Sequence, residues 1–201
     1  HYLIYTKHIY MSNNQRVKID IVLCGDVRVG KTSFVLRATG KKVSKKYIQT
    51  IGIDYGVYRC YTGGKNVTLN MWDMSGDSRY DLIAKSFFER AHCILFCFDF
   101  TRETTFQKIK QLVDKADEYN KNHKKCILGL KSDLVNNVNV KQVKEYAKTI
   151  NASYYELSTL DEVQTILVMH SIAGDGVKSG IYTECEENEE EIIDTTGCCY
   201  M

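Results

Sequence analysis

The sequence predicts an α/β fold, in which a six-stranded, mostly parallel sheet with one antiparallel edge strand carries helices on both faces. Short apolar segments alternate with helical patterns along most of the 201 residues, which is typical of doubly wound sheets. Residues 93–100 and 125–130 are nearly continuous apolar runs, as expected of strands that are buried on both faces. In such a sheet we expect ligands at the carboxyl ends of the strands.

The predicted elements follow in order along the chain. Residues 17–25 form a β-branched strand that ends in glycine, and a helix follows at 31–40. The alternating patterns of 51–61 and 66–73 predict two strands of a hairpin around a turn at 62–65. The remaining predicted elements are a strand at 93–100, a helix at 102–120, a strand at 125–130, a helix at 140–150, a strand at 153–157 and a helix at 161–172.

Composition and charge limit the organisation of the chain. With 44% hydrophobic residues, the chain can bury the core of one domain. All 27 Lys and Arg precede residue 184, whereas residues 184–201 contain seven acids and no base, which is typical of a solvated, disordered tail. We therefore expect a leader at 1–15, in which Met11 is a candidate initiator, a domain at 16–172 and a flexible acidic tail at 173–201.

The eight cysteines indicate a reducing, intracellular environment rather than disulfides. Cys24, Cys93, Cys97 and Cys126 lie within apolar runs, where cysteine behaves as a small buried hydrophobe. The sequence has no CxxC pair and no Cys/His metal spacing. It also has no apolar run of the ~18 residues that a membrane-spanning helix needs, and no signal-peptide pattern at its start.

A phosphate-binding pattern, GxxxxGK[ST], stands between the first predicted strand and helix. Glycines let backbone N–H groups surround phosphate oxygens, and the helix N-terminus adds a favourable dipole. Lys31 is expected to reach the β- and γ-phosphates, and the Thr32 hydroxyl to bind Mg²⁺. We call this stretch the phosphate loop; its residues are Gly25, Asp26, Val27, Arg28, Val29, Gly30, Lys31, Thr32 and Ser33.

Three further stretches narrow the class of nucleotide-binding protein. They are TIGIDY at 50–55, WDMSGD at 72–77 and FFERAHCILFCFDFT at 87–101. Together with the phosphate loop and the spacing from Thr32 to Thr50, they resemble the Rab branch of the Ras-like small GTPases over about residues 16–172. The resemblance implies the P-loop small GTPase fold and a GTP/GDP switch that uses Mg²⁺ in vesicle traffic.

The resemblance also implies roles for single residues. Thr50 is expected as the second Mg²⁺ ligand, with Asp73 holding the metal through water, and the Gly76 N–H is expected to sense the γ-phosphate. An aromatic triad that reads effectors is expected at Tyr55, Trp72 and Phe87, with ordinary core packing as the alternative.

The first guanine-binding stretch departs from the family pattern NKxD, because it is LKSD here. Asp133 can accept hydrogen bonds from the guanine N1–H and exocyclic amine, and the Lys131 stem can lie over the base. Leu130 cannot make the hydrogen bonds of the asparagine, so we expect affinity to fall by roughly ten- to a hundredfold without vanishing.

The second guanine-binding stretch, SAK in the family, is Ser158, Thr159 and Leu160 here. The alanine position acts through its backbone N–H, so threonine is tolerable there, whereas Leu160 lacks the supporting cation. Val43 stands where an aromatic ring usually covers the base edge. We therefore expect guanine specificity and slow release to be weakened, while the phosphate side is intact.

Two departures concern hydrolysis. In Ras-like GTPases, a glutamine after the DxxG glycine orients the attacking water, and an arginine from a partner stabilises the transition state. Asp77, the residue after Gly76, is shorter and carries a charge that should repel the γ-phosphate, and Val27 occupies a position where a small residue leaves room. We expect slow catalysis. Arg28 is a candidate for an arginine that acts in cis, with a solvent-exposed side chain as the alternative.

Partners and localisation are implied by the resemblance. Cys198 and Cys199 resemble the double geranylgeranylation site of Rabs, and CCYM also fits C-a-a-X. Two lipid chains would hold the protein on the cytoplasmic face of intracellular membranes, with a cytosolic pool. We expect exchange and activating factors, effectors and the prenylation machinery as partners, no nucleic acid, and a monomer. Lysines around the first switch are a candidate patch for acidic partners, with a solvated loop as the alternative; they are Lys41, Lys42, Lys45 and Lys46.

Two other functions stay open at this point. The first is a membrane-anchored pseudo-switch or scaffold that is held in one nucleotide state, which nucleotide exchange rates would distinguish. The second is a P-loop phosphotransferase, which fits less well because the order of motifs is that of a GTPase.

Overall fold

The computed structural model describes residues 15–44 and 46–185. The predicted lipidation residues Cys198 and Cys199, Lys45 and most of the predicted leader lie outside the described residues. The described chain forms an α/β fold with a mostly parallel sheet and helices on both faces, as the sequence predicts.

Strands and helices alternate along the described chain. The strands are β1 (Arg16–Gly25), β2 (Ile53–Thr62), β3 (Lys65–Met74), β4 (Cys93–Asp99), β5 (Lys124–Leu130), β6 (Ser153–Leu157) and β7 (Thr183–Glu184). The helices are α1 (Lys31–Ala38), α2 (Asp81–Arg90), α3 (Glu103–Tyr119), α4 (Val140–Thr149) and α5 (Glu162–Lys178), with a 3₁₀ turn at Ser78–Tyr80.

The main sheet has the strand order β2-β3-β1-β4-β5-β6. Its strands are parallel except β2, which pairs antiparallel with β3 at the edge, so the predicted hairpin and edge strand are confirmed. The two-residue strand β7, which the sequence did not predict, pairs antiparallel with β1 at Val17 and Lys18. The pairing of β4 with β1 begins only at Ile21, which leaves this end of β1 open to β7.

The core is divided into two apolar clusters, one on each face of the sheet. Helices α1 and α5 cover one face with residues such as Phe34 and Met169, and α2, α3 and α4 cover the other. All seven residues of β4 are buried, as the continuous apolar run predicts. The cysteines predicted to be buried, Cys24, Cys93, Cys97 and Cys126, are buried and free.

Helix α5 continues to Lys178, beyond the predicted end at 172, so the predicted domain boundary falls inside this helix. Glycines at 174 and 176 lower helix propensity and hid the continuation. The structure has a packing reason for Gly176, because a Cβ there would lie 2.5 Å from Cδ1 of Ile19. The glycine therefore lets α5 approach β1 closely.

Helix α2 was not predicted. Of its residues, Ala84 and Phe88 are buried, whereas Leu82 is 93% exposed and Ile83 is 44% exposed. Apolar side chains therefore lie on both the buried and the exposed side of α2, and no clear apolar stripe of helical period marks it in the sequence.

The sheet also fixes where the phosphate loop begins. β1 ends at Gly25, which has a φ of 146° and lies against β4. A Cβ at this position would lie 2.2 Å from the carbonyl oxygen of Cys97. Glycine is therefore required at the point where the chain leaves the sheet, because another residue would be strained and would collide with backbone.

We expect Phe106→Ala on α3 to lower the free energy of unfolding by about 3–5 kcal/mol, because it removes a buried ring. Phe106 is 1% exposed, and its ring centroid lies 5.5 Å from that of Phe98 and 6.0 Å from that of Tyr146. Urea denaturation measures the change, with Gln111→Ala on the exposed side of α3 as the control. Equal stability of both variants would contradict this account of the core.

Candidate functional site

The phosphate loop wraps around the buried side chain of Lys31. The Nζ atom of Lys31 donates hydrogen bonds to the carbonyl oxygens of Gly25 at 2.8 Å and Asp26 at 2.9 Å. Burial lowers the pKa of Lys31 from its ordinary value. Gly30, with a φ of 111°, is the N-cap residue of α1 and has no side chain to cap the helix. The first N–H groups of this helix are therefore available to an anion.

Side chains from other elements brace the phosphate loop from outside. Arg102 donates through Nη2 to the carbonyl oxygen of Val27 at 2.8 Å, and Lys131 donates through Nζ to that of Arg28 at 2.8 Å. Both cations also donate to Oδ2 of Asp99, Lys131 at 2.6 Å and Arg102 at 3.2 Å. Burial would raise the pKa of Asp99. The hydrogen bond from Lys131 nevertheless helps to hold this pKa below its ordinary value.

The three predicted metal-binding residues meet at one point beside the loop. Thr32 donates through Oγ1 to Oδ2 of Asp73 at 2.5 Å, and the Oγ1 atoms of Thr32 and Thr50 lie 2.9 Å apart. Asp73 is 1% exposed, and burial raises its pKa to about 6. The structure therefore brings together the three oxygen-bearing side chains that the family resemblance implies for Mg²⁺.

This cluster fits Mg²⁺. The ion binds oxygen ligands and usually keeps several waters. Within the part of the chain that the structure describes, the buried Oδ1 atom of Asp73 has no hydrogen-bond partner. An unsatisfied buried carboxylate oxygen is costly, and a metal-bound water would satisfy it. Thr32 and Thr50 supply the hydroxyl oxygens beside it.

Gly76 lies directly against the phosphate loop. A Cβ at Gly76 would lie 2.4 Å from the backbone N of Val27 and 2.5 Å from the carbonyl carbon of Asp26. Only glycine therefore allows this contact. We call residues 46–52 the first switch segment and residues 73–80 the second switch segment. The two are joined where the Ser75 N–H donates to the Gly52 carbonyl oxygen at 2.9 Å.

The carboxylate of Asp77, which is expected to repel the γ-phosphate, has two hydrogen-bond partners in the structure. Oδ2 of Asp77 accepts hydrogen bonds from Nη2 of Arg79 at 2.7 Å and from Nε2 of Gln49 at 3.0 Å. The hydrogen bonds from Arg79 lower the pKa of Asp77 to about 2. The carboxylate is thus ionised, and it is paired with a cation two residues away in the chain. Sequence reasoning missed both partners, although Gln49 directly precedes Thr50.

Three of the residues predicted for the guanine base, Asp133, Ser158 and Leu160, border an open pocket of about 660 Å³. Asp133 and Leu160 line it and are exposed, whereas Ser158 lines it and is buried. Arg37 of α1 holds the second guanine-binding stretch, because its Nε donates to the carbonyl oxygen of Thr159 at 2.9 Å. Lys131 has a φ of 63° and directs its Nζ to the phosphate loop and Asp99.

Leu130 is fully buried where the family has asparagine. A Cβ on Gly30 would lie 3.5 Å from Cδ1 of Leu130, so the leucine packs beneath the phosphate loop. Leu130 therefore makes an apolar contact with the phosphate loop where the asparagine of the family would make hydrogen bonds. Val29 is also fully buried in this core, and Ser33 is partly buried.

Arg28 has a φ of 61°, and its guanidinium carbon lies 4.6 Å from the centroid of the Tyr47 ring. This is a cation–π contact between the phosphate loop and the first switch segment. The contact gives Arg28 a structural partner, and its action in cis stays a hypothesis. Val43 is partly buried, and Lys41, Lys42 and Lys46 are exposed.

The structure brings the predicted aromatic triad together. The ring centroids of Tyr55 and Trp72 lie 4.6 Å apart, and those of Trp72 and Phe87 lie 5.2 Å apart. Tyr55 is 46% exposed, whereas Trp72 and Phe87 are half-buried and pack on the apolar cluster beneath them. The triad therefore has an exposed end and a core-facing end, and effector binding stays a prediction.

Residues 15–44 and 46–185 contain no group of three or more His, Cys, Asp and Glu side chains that could hold a metal ion. Across the same ranges, no helix has the length and apolar character needed to cross a membrane.

Comparison with known proteins shows the family of this chain. The model of a family described as the Ras family matches residues 20–176. The GTP-binding protein YPTM1 of Zea mays is 30% identical over 192 residues, covering 93% of this chain and 92% of that protein. Ras-related protein RABD2a of Arabidopsis thaliana and GTP-binding protein ypt1 of Schizosaccharomyces pombe are each 33% identical over 144 residues, covering 70% of this chain and 71% of each relative. The chain therefore belongs to the Ras family, as a divergent member that is similar to Rab and Ypt proteins.

Proposed function

We propose that this protein is a Rab-like small GTPase, a switch in vesicle traffic that binds GTP and GDP with Mg²⁺ and hydrolyses GTP slowly. The observation that carries the proposal is the meeting of Thr32, Thr50 and Asp73 beside a phosphate loop that encloses Lys31. The relatives named as GTP-binding proteins support guanine nucleotide as the ligand.

The phosphate side of the site is built to hold a triphosphate. Lys31 is already held at the base of the loop by two carbonyl oxygens, and it would add a phosphate oxygen as a further acceptor. The uncapped start of α1 supplies N–H donors and a favourable dipole. Thr32 and Thr50 would hold Mg²⁺ directly and Asp73 would hold it through water; the bound ion would supply positive charge that offsets the charge developing in phosphoryl transfer.

Switching follows from where the two switch segments meet. Thr50 and Gly76 both lie beside the phosphate loop, and both would contact the γ-phosphate end of GTP. Loss of the γ-phosphate removes the contact that Thr50 and Gly76 would each make with it, and this releases the two switch segments. Tyr55 of β2 lies directly opposite Trp72 of β3 in the hairpin between them, so release changes the surface that carries the aromatic triad.

The base side should bind guanine less selectively than typical members do. Asp133 is the carboxylate that can read the guanine N1–H and amine, and it is exposed. Leu130 packs beneath the loop and offers no hydrogen bond to the base or to the loop. Since a lost hydrogen bond is worth about 0.5–1.5 kcal/mol, we expect binding of the guanine nucleotide to weaken but not to be lost.

Slow hydrolysis is inferred from position 77. Asp77 has no amide to orient a water, and its carboxylate is already engaged by Arg79 and Gln49. Val27 adds a branched side chain at the loop position against which Gly76 packs. The family relationship favours a working switch over a scaffold held in one nucleotide state. Membrane attachment through Cys198 and Cys199 and the monomeric state stay predictions.

We predict that Asp73→Asn weakens Mg²⁺ binding by about 10–100-fold, the usual effect of losing a group that holds a metal through water. The measurement is the Mg²⁺ concentration at which a fluorescent GDP analogue is retained by the protein. Asp114→Asn, the same change on the exposed side of α3, is the control and should leave this concentration unchanged. Equal Mg²⁺ dependence in both variants would argue against the metal site.

We expect Asp133→Ala to abolish the preference for guanine over adenine, because it removes the carboxylate that reads the base. Competition of GDP and ADP against the fluorescent analogue measures the preference, with Asp114→Ala as the control. If the wild-type protein binds no guanine nucleotide at all, the proposed function fails.

We expect Asp77→Gln to raise the single-turnover rate of GTP cleavage by about tenfold, equivalent to about 1.4 kcal/mol, since it restores an amide of the right length. Adding Val27→Gly should raise the rate further. Asp114→Gln makes the same substitution far from the site and should not change the rate. A wild-type rate that is already fast and insensitive to Asp77→Gln would refute slow hydrolysis.

A further inference from the structure

One hydrogen bond between side chains connects the two switch segments beside the predicted γ-phosphate position. Nε2 of Gln49 donates to Oδ2 of Asp77 at 3.0 Å. Gln49 directly precedes Thr50, and Asp77 directly follows Gly76. The bond therefore joins the immediate neighbours of the two residues that would face the γ-phosphate from opposite segments.

Several hydrogen bonds from Arg79 hold the carboxylate of Asp77. Arg79 donates to Oδ2 of Asp77 through Nε at 3.0 Å and through Nη2 at 2.7 Å. The backbone N–H of Arg79 also donates to Oδ1 at 3.0 Å. These contacts fix the plane of the carboxylate, and the same Oδ2 atom is the acceptor for Gln49.

The chemistry of an amide explains what this arrangement can do. A glutamine side chain has an NH₂ group that donates and a carbonyl oxygen that accepts. Because Nε2 of Gln49 is directed to Asp77, its Oε1 is available to accept a hydrogen bond from a water molecule. The amide that the second switch segment lacks at position 77 is thus present at position 49 of the first.

We propose that Gln49 orients the attacking water in GTP hydrolysis, and that Asp77 is the positioning residue that holds its amide. This inference rests on the proposed GTPase function. It assigns the residual hydrolysis to a residue of the first switch segment. It also means that the carboxylate of Asp77 supports hydrolysis by holding Gln49, in contrast to a charge that only repels the γ-phosphate.

The reaction step in which Gln49 would act is the hydrolysis of a phosphoanhydride bond. The water oxygen forms a bond to the γ-phosphorus, while the bond from that phosphorus to the β–γ bridging oxygen breaks. The electron pair of the broken bond stays on GDP, and the protons of the water leave with inorganic phosphate. Gln49 accepts a hydrogen bond from the water throughout and neither gains nor loses a proton.

The test is single-turnover cleavage of GTP bound to the full-length protein, measured for Gln49→Ala in two backgrounds. In the wild type, we expect the rate to fall by about tenfold, equivalent to about 1.4 kcal/mol. In Asp77→Gln, the same change should leave the rate unaltered, because position 77 then supplies the amide. Gln111→Ala, an exposed glutamine on α3, is the control for the substitution itself.

The role of Asp77 is tested by a conservative rescue. Asp77→Ala should lower the wild-type rate as much as Gln49→Ala does, and the double variant should be no slower than either single variant. Asp77→Asn keeps a carbonyl oxygen that can accept from Gln49, so it should keep the rate within about twofold. A residue that only stabilised the fold would not show this pattern of rescue and non-additivity.

Two outcomes would overturn the inference. An unchanged rate in Gln49→Ala would remove the glutamine from the reaction, and an equal loss in both backgrounds would show that it only holds the first switch segment in place. Gln49→Met keeps the length of the side chain without the amide and must repeat the Gln49→Ala result. Retention of GTP, measured first for each variant, separates failure of this inference from failure of the proposed function.

Discussion

The hydroxyl group of Thr32 is the point on which the rest of the site depends. It donates to Asp73 at the end of β3 and lies in contact with Thr50 of the first switch segment. The parallel pairing of β1 with β3, in register to Leu23 and Asp73, brings the start of α1 beside the end of β3. Three segments that are distant in sequence therefore meet around one oxygen cluster.

The two sides of the site are stabilised differently. On the phosphate side, Lys31 is buried and bonded to the loop. Arg102 and Lys131 donate directly to loop carbonyl oxygens, and Asp99 holds both cations. On the base side, Asp133 and Leu160 are exposed beside an open pocket. The brace through Lys131 and Arg102 preserves the shape of the loop although Leu130 provides no hydrogen bond. We therefore expect phosphate recognition to persist while base recognition weakens.

Much of this arrangement could be predicted from the sequence, because the informative patterns are local. The strand–loop–helix context of the phosphate loop, the buried run of β4 and the hairpin of β2 and β3 each have a signature within ten or so residues. The missed features depend on contacts between distant residues. Examples are the Gln49–Asp77 bond, and the close approach of Gly176 to Ile19 that allows α5 to continue. The pairing of Asp77 with Arg79 was also not predicted, because it depends on the turn between them.

The account as a whole requires that a guanine nucleotide and Mg²⁺ occupy this site together. The most direct measurement is the identity and amount of nucleotide that copurifies with the full-length protein in buffer that contains Mg²⁺, repeated after chelation of the metal. The account predicts GDP or GTP in most of the purified protein and its release when Mg²⁺ is removed. Protein that is folded but carries no guanine nucleotide, and takes up none when GDP and Mg²⁺ are added, would contradict it.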